Sequence, residues 1–268
     1  MIDWLIVERN RLPSPEQFLA PPEQERYAAL RSEKRRQDWL LGRWAAKRLL
    51  RRHMARRGLD LPLGAALILS DPDGAPRVAA WGLALACPHI GVELERIQIS
   101  LSHSGERALC AMIGSGPTPI YIPTSAMALG ADIEQIATRS AAFAQSYDTE
   151  RELALLAAAP PDRYDTLSTV IWSAKEATLK LTRHGLRVDT RSVTCLPAAP
   201  PRAGDWAPVA ISTQLTPTSL VGWWREIDNY VITIVTAAEW GAAPSAAHLP
   251  DWEAFGEGGA RPVFALSE

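Results

Sequence analysis

The chain has 268 residues, which is enough for one large domain or two small ones with an ample core. Hydrophobic residues make up 47% and charged residues 22%, which is the ordinary range of globular proteins. The formal net charge of −2 argues against a protein coated by nucleic acid, so no nucleic-acid partner is predicted.

Neither a membrane segment nor a secretion signal is predicted. No stretch approaches the roughly 18 uncharged apolar residues that a membrane span requires. The N-terminus lacks a cationic region followed by an apolar run, which a signal peptide would have. Three cysteines, Cys87, Cys110 and Cys195, are odd in number and have no metal-ligand spacing, which favours free thiols in a reducing compartment. The sequence therefore predicts a cytoplasmic protein.

The first part of the chain predicts a strand, a long helix and further strands. Residues 2–8 read as a strand, and residues 32–57 as a helix with Ser32 as N-cap and Gly58 as its stop. Gly42 interrupts this helix, either for a close backbone approach or as a tolerated glycine. Residues 97–102 and 108–113 predict paired strands. Residues 80–97 have no clear assignment, and residues 114–124 predict an inserted loop.

The second part repeats this order. Residues 127–134 predict a strand, residues 139–159 and 163–184 predict helices, and residues 192–196, 208–213, 220–227 and 230–236 predict strands. Because strand, helix and strands occur in turn in each part, we predict an α+β fold of two similar α/β halves. These are residues 1–126 and 127–240, followed by a tail at 241–268.

Basic residues concentrate in the first long helix. Residues 31–57 contain eleven lysines and arginines against Glu33 and Asp38. Two interpretations fit this pattern: a binding surface for an anionic ligand or an acidic partner, and a solvated helix face.

Asp132 and Glu134 are the first candidate for chemistry. On a strand they share one face, and Ile133 points to the other. Two carboxylates this close repel each other unless a cation or a proton lies between them. They predict either a Mg²⁺ site or a pair of solvated charges at the end of a strand.

The second candidate is the segment Trp172–Lys180. On a helix, Trp172, Glu176 and Lys180 are four residues apart and share one face. A carboxylate beside lysines suits a metal ion or a phosphate. Alternatively, Glu176 and Lys180 form an ordinary helix-stabilising pair, worth about 0.2–0.5 kcal/mol.

A third segment, Ser102-His103-Ser104, follows a predicted strand. His103 there suits either a hydrogen bond to a phosphate or one to a nearby backbone carbonyl. No cysteine or acid nearby indicates a hydrolase triad, and Gly105 lacks the flanking pattern of a nucleophile elbow.

Taken together, five segments in this order resemble the 4′-phosphopantetheinyl transferases of the surfactin-synthetase-activating type. They are Gly42-Arg43, Gly74-Ala75-Pro76, Ser102-His103-Ser104, Gly130-Ala131-Asp132-Ile133-Glu134 and Trp172-Ser173-Ala174-Lys175-Glu176 through Lys180. The resemblance covers residues 1–238, and its most specific parts are the Asp-Ile-Glu strand and the Trp-Ser-x-Lys-Glu-Ala-x-x-Lys helix. It selects Asp132 and Glu134 over the similar pair Glu93 and Glu95, because the family's acidic strand follows the Ser-His-Ser segment.

The resemblance implies a monomer of two α/β halves related by pseudo-twofold symmetry, with coenzyme A in the cleft between them. Its implied metal ligands for Mg²⁺ are Asp132, Glu134 and Glu176. Its implied catalytic residues are Glu176, as the candidate base, and Lys180, which would pair with the coenzyme pyrophosphate. The implied coenzyme-binding residues are Arg43 and His103 at phosphate, Lys175 and Lys180 near the pyrophosphate, and Gly74, Pro76 and Ser102 near the adenine.

The implied reaction transfers the 4′-phosphopantetheine arm of coenzyme A to a serine of an acyl or peptidyl carrier protein and releases 3′,5′-ADP. Many relatives have a lysine where this chain has Ala75, and Arg77 is the candidate substitute. Two alternatives stay open at this point. One is a catalytically impaired relative that binds coenzyme A or a carrier protein, and the other is a metal-dependent nuclease.

Overall fold

The computed structural model describes residues 2–114, 129–200, 202–238 and Pro244. We call the described residues up to 114 the N-terminal half. Its elements are β1 (Asp3–Glu8), α1 (Pro21–Ala28), α2 (Glu33–Ala55), β2 (Ala66–Ser70), β3 (Pro76–Ala80), α3 (Leu83–Ala86), α4 (Pro88–Glu95), β4 (Gln98–Ser104) and β5 (Arg107–Ile113). The predicted loop at 114–124 falls almost wholly outside the described residues.

We call residues 129–238 the C-terminal half. Its elements are β6 (Leu129–Gln135), α5 (Ala141–Tyr147), α6 (Glu150–Ala157), α7 (Tyr164–Leu181), β7 (Val193–Pro197), β8 (Ala207–Thr213), β9 (Leu220–Ile227) and β10 (Tyr230–Ala237). Of the predicted tail, only Pro244 is described, and it forms a single bridge with Ile2. No helix in the described ranges is both long and apolar enough to cross a membrane.

The strand order of the two halves corresponds. The N-terminal half has a sheet in the order β1-β5-β4 and a hairpin of β2 and β3, and the C-terminal half has one sheet in the order β6-β10-β9-β8-β7. The sheet β1-β5-β4 corresponds to β6-β10-β9, and the hairpin of β2 and β3 corresponds to β7 and β8. The predicted α+β fold is confirmed. The boundary between residues 126 and 127 lies outside the described residues and stays a prediction.

Hydrophobic residues on alternate strand positions build the core in layers. Leu5 and Val7 of β1 face α2, where they join Leu41 and Leu49. The opposite faces of the two sheets meet in a second cluster, with members Trp4, Ile6, Leu109, Ile133, Ile232 and Ile234. On the far side, α7 covers the second sheet through Val170, Ala174 and Leu179. The halves thus contact each other through their sheets, with one long helix on each outer face.

A buried ion pair holds the long helix of the N-terminal half. Lys47 of α2 is 2.6 Å from Glu23 of α1, and both side chains are almost completely buried. The ammonium also donates to the carbonyls of Leu63 and Ala66, at 3.0 and 2.5 Å. Glu23 accepts from the backbone N–H of Ile68 at 2.9 Å, so the pair ties both helices to the start of β2.

The same arrangement recurs in the C-terminal half. Lys175 of α7 is 2.8 Å from Glu152 of α6, and neither side chain is exposed. The ammonium donates to the carbonyls of Thr190 and Val193, at 3.1 and 2.6 Å. Glu152 accepts from the N–H of Cys195 at 2.6 Å. Two buried charge networks with the same connectivity support the interpretation of two similar halves.

Two predicted segments differ in the structure. The single helix predicted at 139–159 is wrong: α5 ends at Tyr147 and α6 begins at Glu150. Glu152 explains the break, because its carboxylate accepts from both the N–H and the hydroxyl of Thr149 and so starts a new helix. The unassigned residues 80–97 form α3 and α4, which places Glu93 and Glu95 on a helix rather than on an acidic strand.

Gly130 is expected to be intolerant of substitution because α7 crosses β6 directly above it. A Cβ atom at Gly130 would lie 1.8 Å from the carbonyl oxygen of Ala177, a backbone atom that no rotamer change can move. Gly130→Ala should therefore lower the free energy of unfolding by about 2–3 kcal/mol, the usual cost of an overpacked core. Urea unfolding followed by circular dichroism measures this loss.

Gly42→Ala is the matched control. Gly42 lies in the middle of α2, and a Cβ there would approach only Leu101 Cδ1, at 3.8 Å. Since alanine is about 1 kcal/mol better than glycine inside a helix, this variant should be more stable than the parent. A Gly130→Ala protein as stable as the parent would contradict the close approach of helix and strand.

Candidate active site

Three carboxylates from two elements of the C-terminal half converge. Asp132 and Glu134 lie on the face of β6 that is turned to α7, while Ile133 is buried between the sheets. Glu176 projects from α7. One carboxylate oxygen from each of these acids lies within 4.8 Å of the others. The structure thus brings together the three residues that the sequence suggested as metal ligands, and Gly130 is what lets the helix approach the strand so closely.

Asp132 is held by one oxygen only. Its Oδ1 accepts hydrogen bonds from Lys180 Nζ and Ser102 Oγ, each at 2.6 Å. Its Oδ2 is buried and has no hydrogen-bond partner in the described part of the chain. A buried carboxylate oxygen without a partner is costly, and here it lies beside two further acids. Oδ2 is therefore the oxygen of Asp132 that is available to a cation or a further donor.

Burial and the closeness of the three acids raise the pKa values of Glu176 and Glu134. Burial and the neighbouring Asp132 carboxylate raise the pKa of Glu176 to about 7, and Lys180 offsets this only in part. Burial and Asp132 also raise the pKa of Glu134, against the opposing effect of Arg139. Each acid disfavours ionisation of its neighbours. Hard carboxylate oxygens in this arrangement fit Mg²⁺, which takes one or two protein carboxylates together with water and phosphate oxygens.

Lys180 links the acids to an adjoining cavity. Its ammonium contacts Asp132, donates to the Ala131 carbonyl at 3.2 Å and lies 3.9 Å from Glu176. The cavity measures about 730 Å³ and lies between the β2–β3 loop and β4 on one side and the end of α7 on the other. Its lining includes Gly74, Pro76, Arg77, Ser100 and Lys180. This volume is in the range of cofactor pockets, and it brings Gly74 and Pro76 to the same cavity as Lys180.

An ion-pair cluster between the halves forms one wall of the cavity. The guanidinium of Arg183, just after α7, donates to Asp73 at 2.5 Å and to Asp71 at 2.6 Å, both in the β2–β3 loop. These hydrogen bonds lower the pKa of Asp73 to about 2. Arg77 adds a contact to Asp71 at 3.2 Å. The loop that carries Gly74 is thereby tied to the C-terminal half.

Arg43 and His103 are not among the residues that line this cavity. Arg43 lies over the ring of Trp39 at 4.1 Å and donates to the Ile68 carbonyl at 3.2 Å. Burial lowers its pKa to about 10. His103 is exposed and, by strand alternation, lies on the face of β4 opposite to Ser102. Their predicted contact with phosphate stays a prediction.

Lys175 is absent from the acidic cluster and from the cavity lining. Its three N–H groups are directed to Glu152 and to the carbonyls of Thr190 and Val193, and its side chain is fully buried. Such a lysine has no donor left for a coenzyme pyrophosphate. The structure therefore gives Lys175 a structural position, in contrast to the coenzyme-binding role that the resemblance implied.

Many cations of the predicted basic surface on α2 have acidic or aromatic neighbours. Lys47 is buried against Glu23, Arg56 pairs with Asp3 and Arg57 pairs with Glu93. Further pairs or stacking contacts involve Arg36 with Glu33, Arg43 with Trp39, Arg48 with Trp44 and Arg51 with Asp60. The surface is therefore less positive than the sequence count indicates.

Two residues near the acids were not predicted. Ser104 Oγ lies 3.3 Å from Glu134 Oε2, and Arg139 Nη2 lies 3.7 Å from the same carboxylate oxygen. Arg139 also lies over the rings of Phe143 and Trp172, at 4.8 and 5.6 Å. The alternation of serines along β4 was a signal for Ser104, because alternate residues of a strand share a face.

Asp148, in the break between α5 and α6, provides a test of the electrostatics beneath the site. Burial and the charge of Glu152 raise its pKa to about 6. The folded state therefore binds a proton more tightly than the unfolded state, so stability falls as pH rises from about 4 to 6. Asp148→Asn should stabilise the protein by about 1–2 kcal/mol at pH 7 and by nothing near pH 4. Thermal unfolding of both proteins across this range measures it, and a gain independent of pH would contradict the assignment.

Carboxylates next to a lysine that lines a cavity suit an enzyme that acts on a phosphate ester with a divalent cation. A sequence model of the 4′-phosphopantetheinyl transferase superfamily matches residues 128–235, the range that contains all three acids and Lys180. Residues 128–235 are accordingly a domain of that superfamily. This match confirms the prediction of a phosphopantetheinyl transferase enzyme at the level of the superfamily. It does not distinguish the surfactin-synthetase-activating type from other members.

Several solved structures are similar to this chain. The holo-ACP-synthase from Plasmodium yoelii has 18% sequence identity, covers 44% of this chain and 94% of its own, and gives a TM-score of 0.35. The holo-[acyl-carrier-protein] synthase from Neisseria meningitidis has 19% identity, with 43% and 97% covered and a TM-score of 0.36. The Helicobacter pylori synthase in complex with coenzyme A has 18% identity, with 43% and 100% covered and a TM-score of 0.33. No curated protein sequence matches the chain.

Proposed function

We propose that this protein transfers the 4′-phosphopantetheine arm of coenzyme A to a serine of an acyl or peptidyl carrier protein and releases 3′,5′-ADP. The observation that carries the proposal is the convergence of Asp132, Glu134 and Glu176 beside Lys180, at the rim of a large cavity and inside a phosphopantetheinyl transferase domain. The proposal also includes the surfactin-synthetase-activating type, because these acids and Lys180 belong to the sequence segments that resemble that type.

In this proposal the three acids hold Mg²⁺, which supplies charge neutralisation at the coenzyme pyrophosphate. Asp132 Oδ2 is the buried oxygen without another partner, so it is the first ligand atom to assign. Lys180, already within reach of both Asp132 and Glu176, turns its ammonium to the pyrophosphate. The adenosine part then occupies the cavity beside Gly74 and Pro76, where Arg77 supplies the cation that many relatives have at the position of Ala75.

Transfer requires the carrier serine to lose a proton as its oxygen attacks the pantetheine-side phosphorus. A new P–O bond forms to the serine, and the bond from that phosphorus to the bridging oxygen breaks. Glu176 is the candidate base, since it is one of the three acids, adjoins Lys180 and is about one-fifth exposed. The leaving group departs as 3′,5′-ADP, and Lys180 offsets the charge that develops on its oxygen.

The partners in this proposal are coenzyme A and a carrier protein, and the protein acts as a cytoplasmic monomer without nucleic acid or membrane. Exposed cations at the start of α2, among them Lys34, Arg35 and the preceding Arg31, remain a candidate contact for an acidic carrier. Free coenzyme A and acyl coenzyme A both contain the pyrophosphate on which this site acts, so the proposal covers both as substrates.

Incubation with an apo carrier protein, coenzyme A and Mg²⁺, followed by intact mass measurement, tests the proposal. A transferase adds one phosphopantetheine arm to the carrier and generates 3′,5′-ADP. An unchanged carrier mass with measurable coenzyme binding would indicate the impaired relative. Salt-sensitive DNA binding with cleavage would indicate the nuclease, and either result would overturn the proposal.

A further inference from the structure

The strand β4 places three serines in a row along the edge of the C-terminal sheet. Ser100, Ser102 and Ser104 alternate in sequence, so their side chains lie on one face of β4, and each contacts β6. β4 belongs to the N-terminal half, whereas β6 carries the acids. Hydroxyl groups therefore join the two halves at the place where the carboxylates lie.

The three serines have different partners on β6. Ser100 Oγ accepts from the backbone N–H of Ala131 at 2.9 Å, so it contacts the strand rather than a carboxylate. Ser102 Oγ donates to Asp132 Oδ1 at 2.6 Å. Ser104 Oγ accepts from the N–H of Gln135 at 3.1 Å, which leaves its own hydrogen to donate to Glu134 Oε2 at 3.3 Å.

The hydrogen bonds from Ser102 and Ser104 fix the orientation of the Asp132 and Glu134 carboxylates. Ser102 and Lys180 both bind Oδ1 of Asp132, whereas the buried Oδ2 has no hydrogen-bond partner among the described residues. Ser104 holds one oxygen of Glu134 and leaves the other for a ligand. Groups that hydrogen-bond a metal ligand in this way set its orientation, and their loss typically weakens metal affinity about 10–100-fold.

We propose that Ser102 and Ser104, which belong to the N-terminal half, are positioning residues that orient Asp132 and Glu134 for the divalent cation through hydrogen bonds to those carboxylates. The inference rests on the proposed function, because it takes the three acids as the cation site. It assigns to Ser104 a role that the resemblance did not supply, and to Ser102 one that acts through Asp132 rather than on the adenine.

Mn²⁺ affinity, read from the electron paramagnetic resonance signal of the free ion without coenzyme, tests this inference on the 268-residue chain. Ser102→Ala and Ser104→Ala should each bind Mn²⁺ about tenfold more weakly or worse than the parent. Each serine contacts a different acid, so one folded variant is enough for the measurement. Ser104→Thr keeps the hydroxyl and should restore the affinity of the parent.

Ser100→Ala is the matched control, since it removes a hydroxyl of the same row that contacts no carboxylate; its Mn²⁺ affinity should equal that of the parent. Parental affinity in both Ser102→Ala and Ser104→Ala would overturn the inference and leave the proposed transfer standing. Equal weakening in Ser100→Ala would also overturn it, by showing that the contact between strands matters rather than the carboxylate partners. A parent protein that binds no Mn²⁺ would contradict both the inference and the metal role in the proposed function.

Discussion

Glu176→Gln is expected to reduce transfer of the phosphopantetheine arm at least about 100-fold, the usual effect of removing a group that acts as an acid or base. Glutamine keeps the size of the side chain but has no negative charge and accepts no proton. It therefore removes one of three carboxylates that lie within 4.8 Å of one another. Intact mass of the carrier over time, at saturating coenzyme A and Mg²⁺, gives the rate.

The stability of this variant separates a chemical role from a structural one. Since the pKa of Glu176 is raised from 4.5 to about 7, stability falls as pH rises through this range, and the full cost of its ionised form is present above pH 7. Without metal at pH 8, Glu176→Gln should be at least as stable as the parent. Glu150→Gln, a change at an exposed position in the first turn of α6, should keep the parental rate. Full activity of Glu176→Gln would refute its assigned role.

Lys175→Met is expected to lower the free energy of unfolding by about 3–5 kcal/mol, the cost of leaving a buried charge without its partner. The substitution leaves the Glu152 carboxylate fully buried beside the uncharged methionine, and it also removes the donors to Thr190 and Val193. Denaturant unfolding at pH 7 measures the loss directly.

Two further variants test the cause of this loss. Lys175→Met combined with Glu152→Gln removes both charges, so it should recover part of the lost stability. Lys47→Met should show a similar loss, because Lys47 has the corresponding contacts in the N-terminal half. If the free energy of unfolding of Lys175→Met fell by less than about 1 kcal/mol, the buried Lys175–Glu152 ion pair would not be important for stability.

Local pattern predicted the elements that position the site. Ser32 caps α2 as expected, and the alternation around Asp132 placed Ile133 in the core and the acids on the other face. The four-residue spacing of Glu176 and Lys180 put both on one side of α7, where they lie 3.9 Å apart. Such features follow from the geometry of one strand or one helix.

Local sequence patterns did not predict contacts between segments that are far apart in the chain. Lys175 adjoins Glu176 in sequence, yet its side chain lies on another face and pairs with Glu152 on α6. Nothing in the helical spacing identifies that partner. The break before α6 is a different case, because Thr149 and Glu152 are only three residues apart and form a capping box, a local signal that the helix predicted at 139–159 overlooked. The role of Arg183 depends on Asp71 and Asp73, more than a hundred residues earlier.

The repeated ion pair also has a consequence for stoichiometry. Both halves keep a buried lysine and glutamate at a long helix, but β1, which corresponds to β6 in strand order, turns Leu5 and Val7 towards its helix. The acid on that face of β1, Asp3, is paired with Arg56. Among the described residues, the cluster of three acids occurs in the C-terminal half alone. The proposed function therefore predicts a single ion and a single coenzyme molecule per polypeptide. Calorimetric titration should accordingly saturate at one equivalent of each.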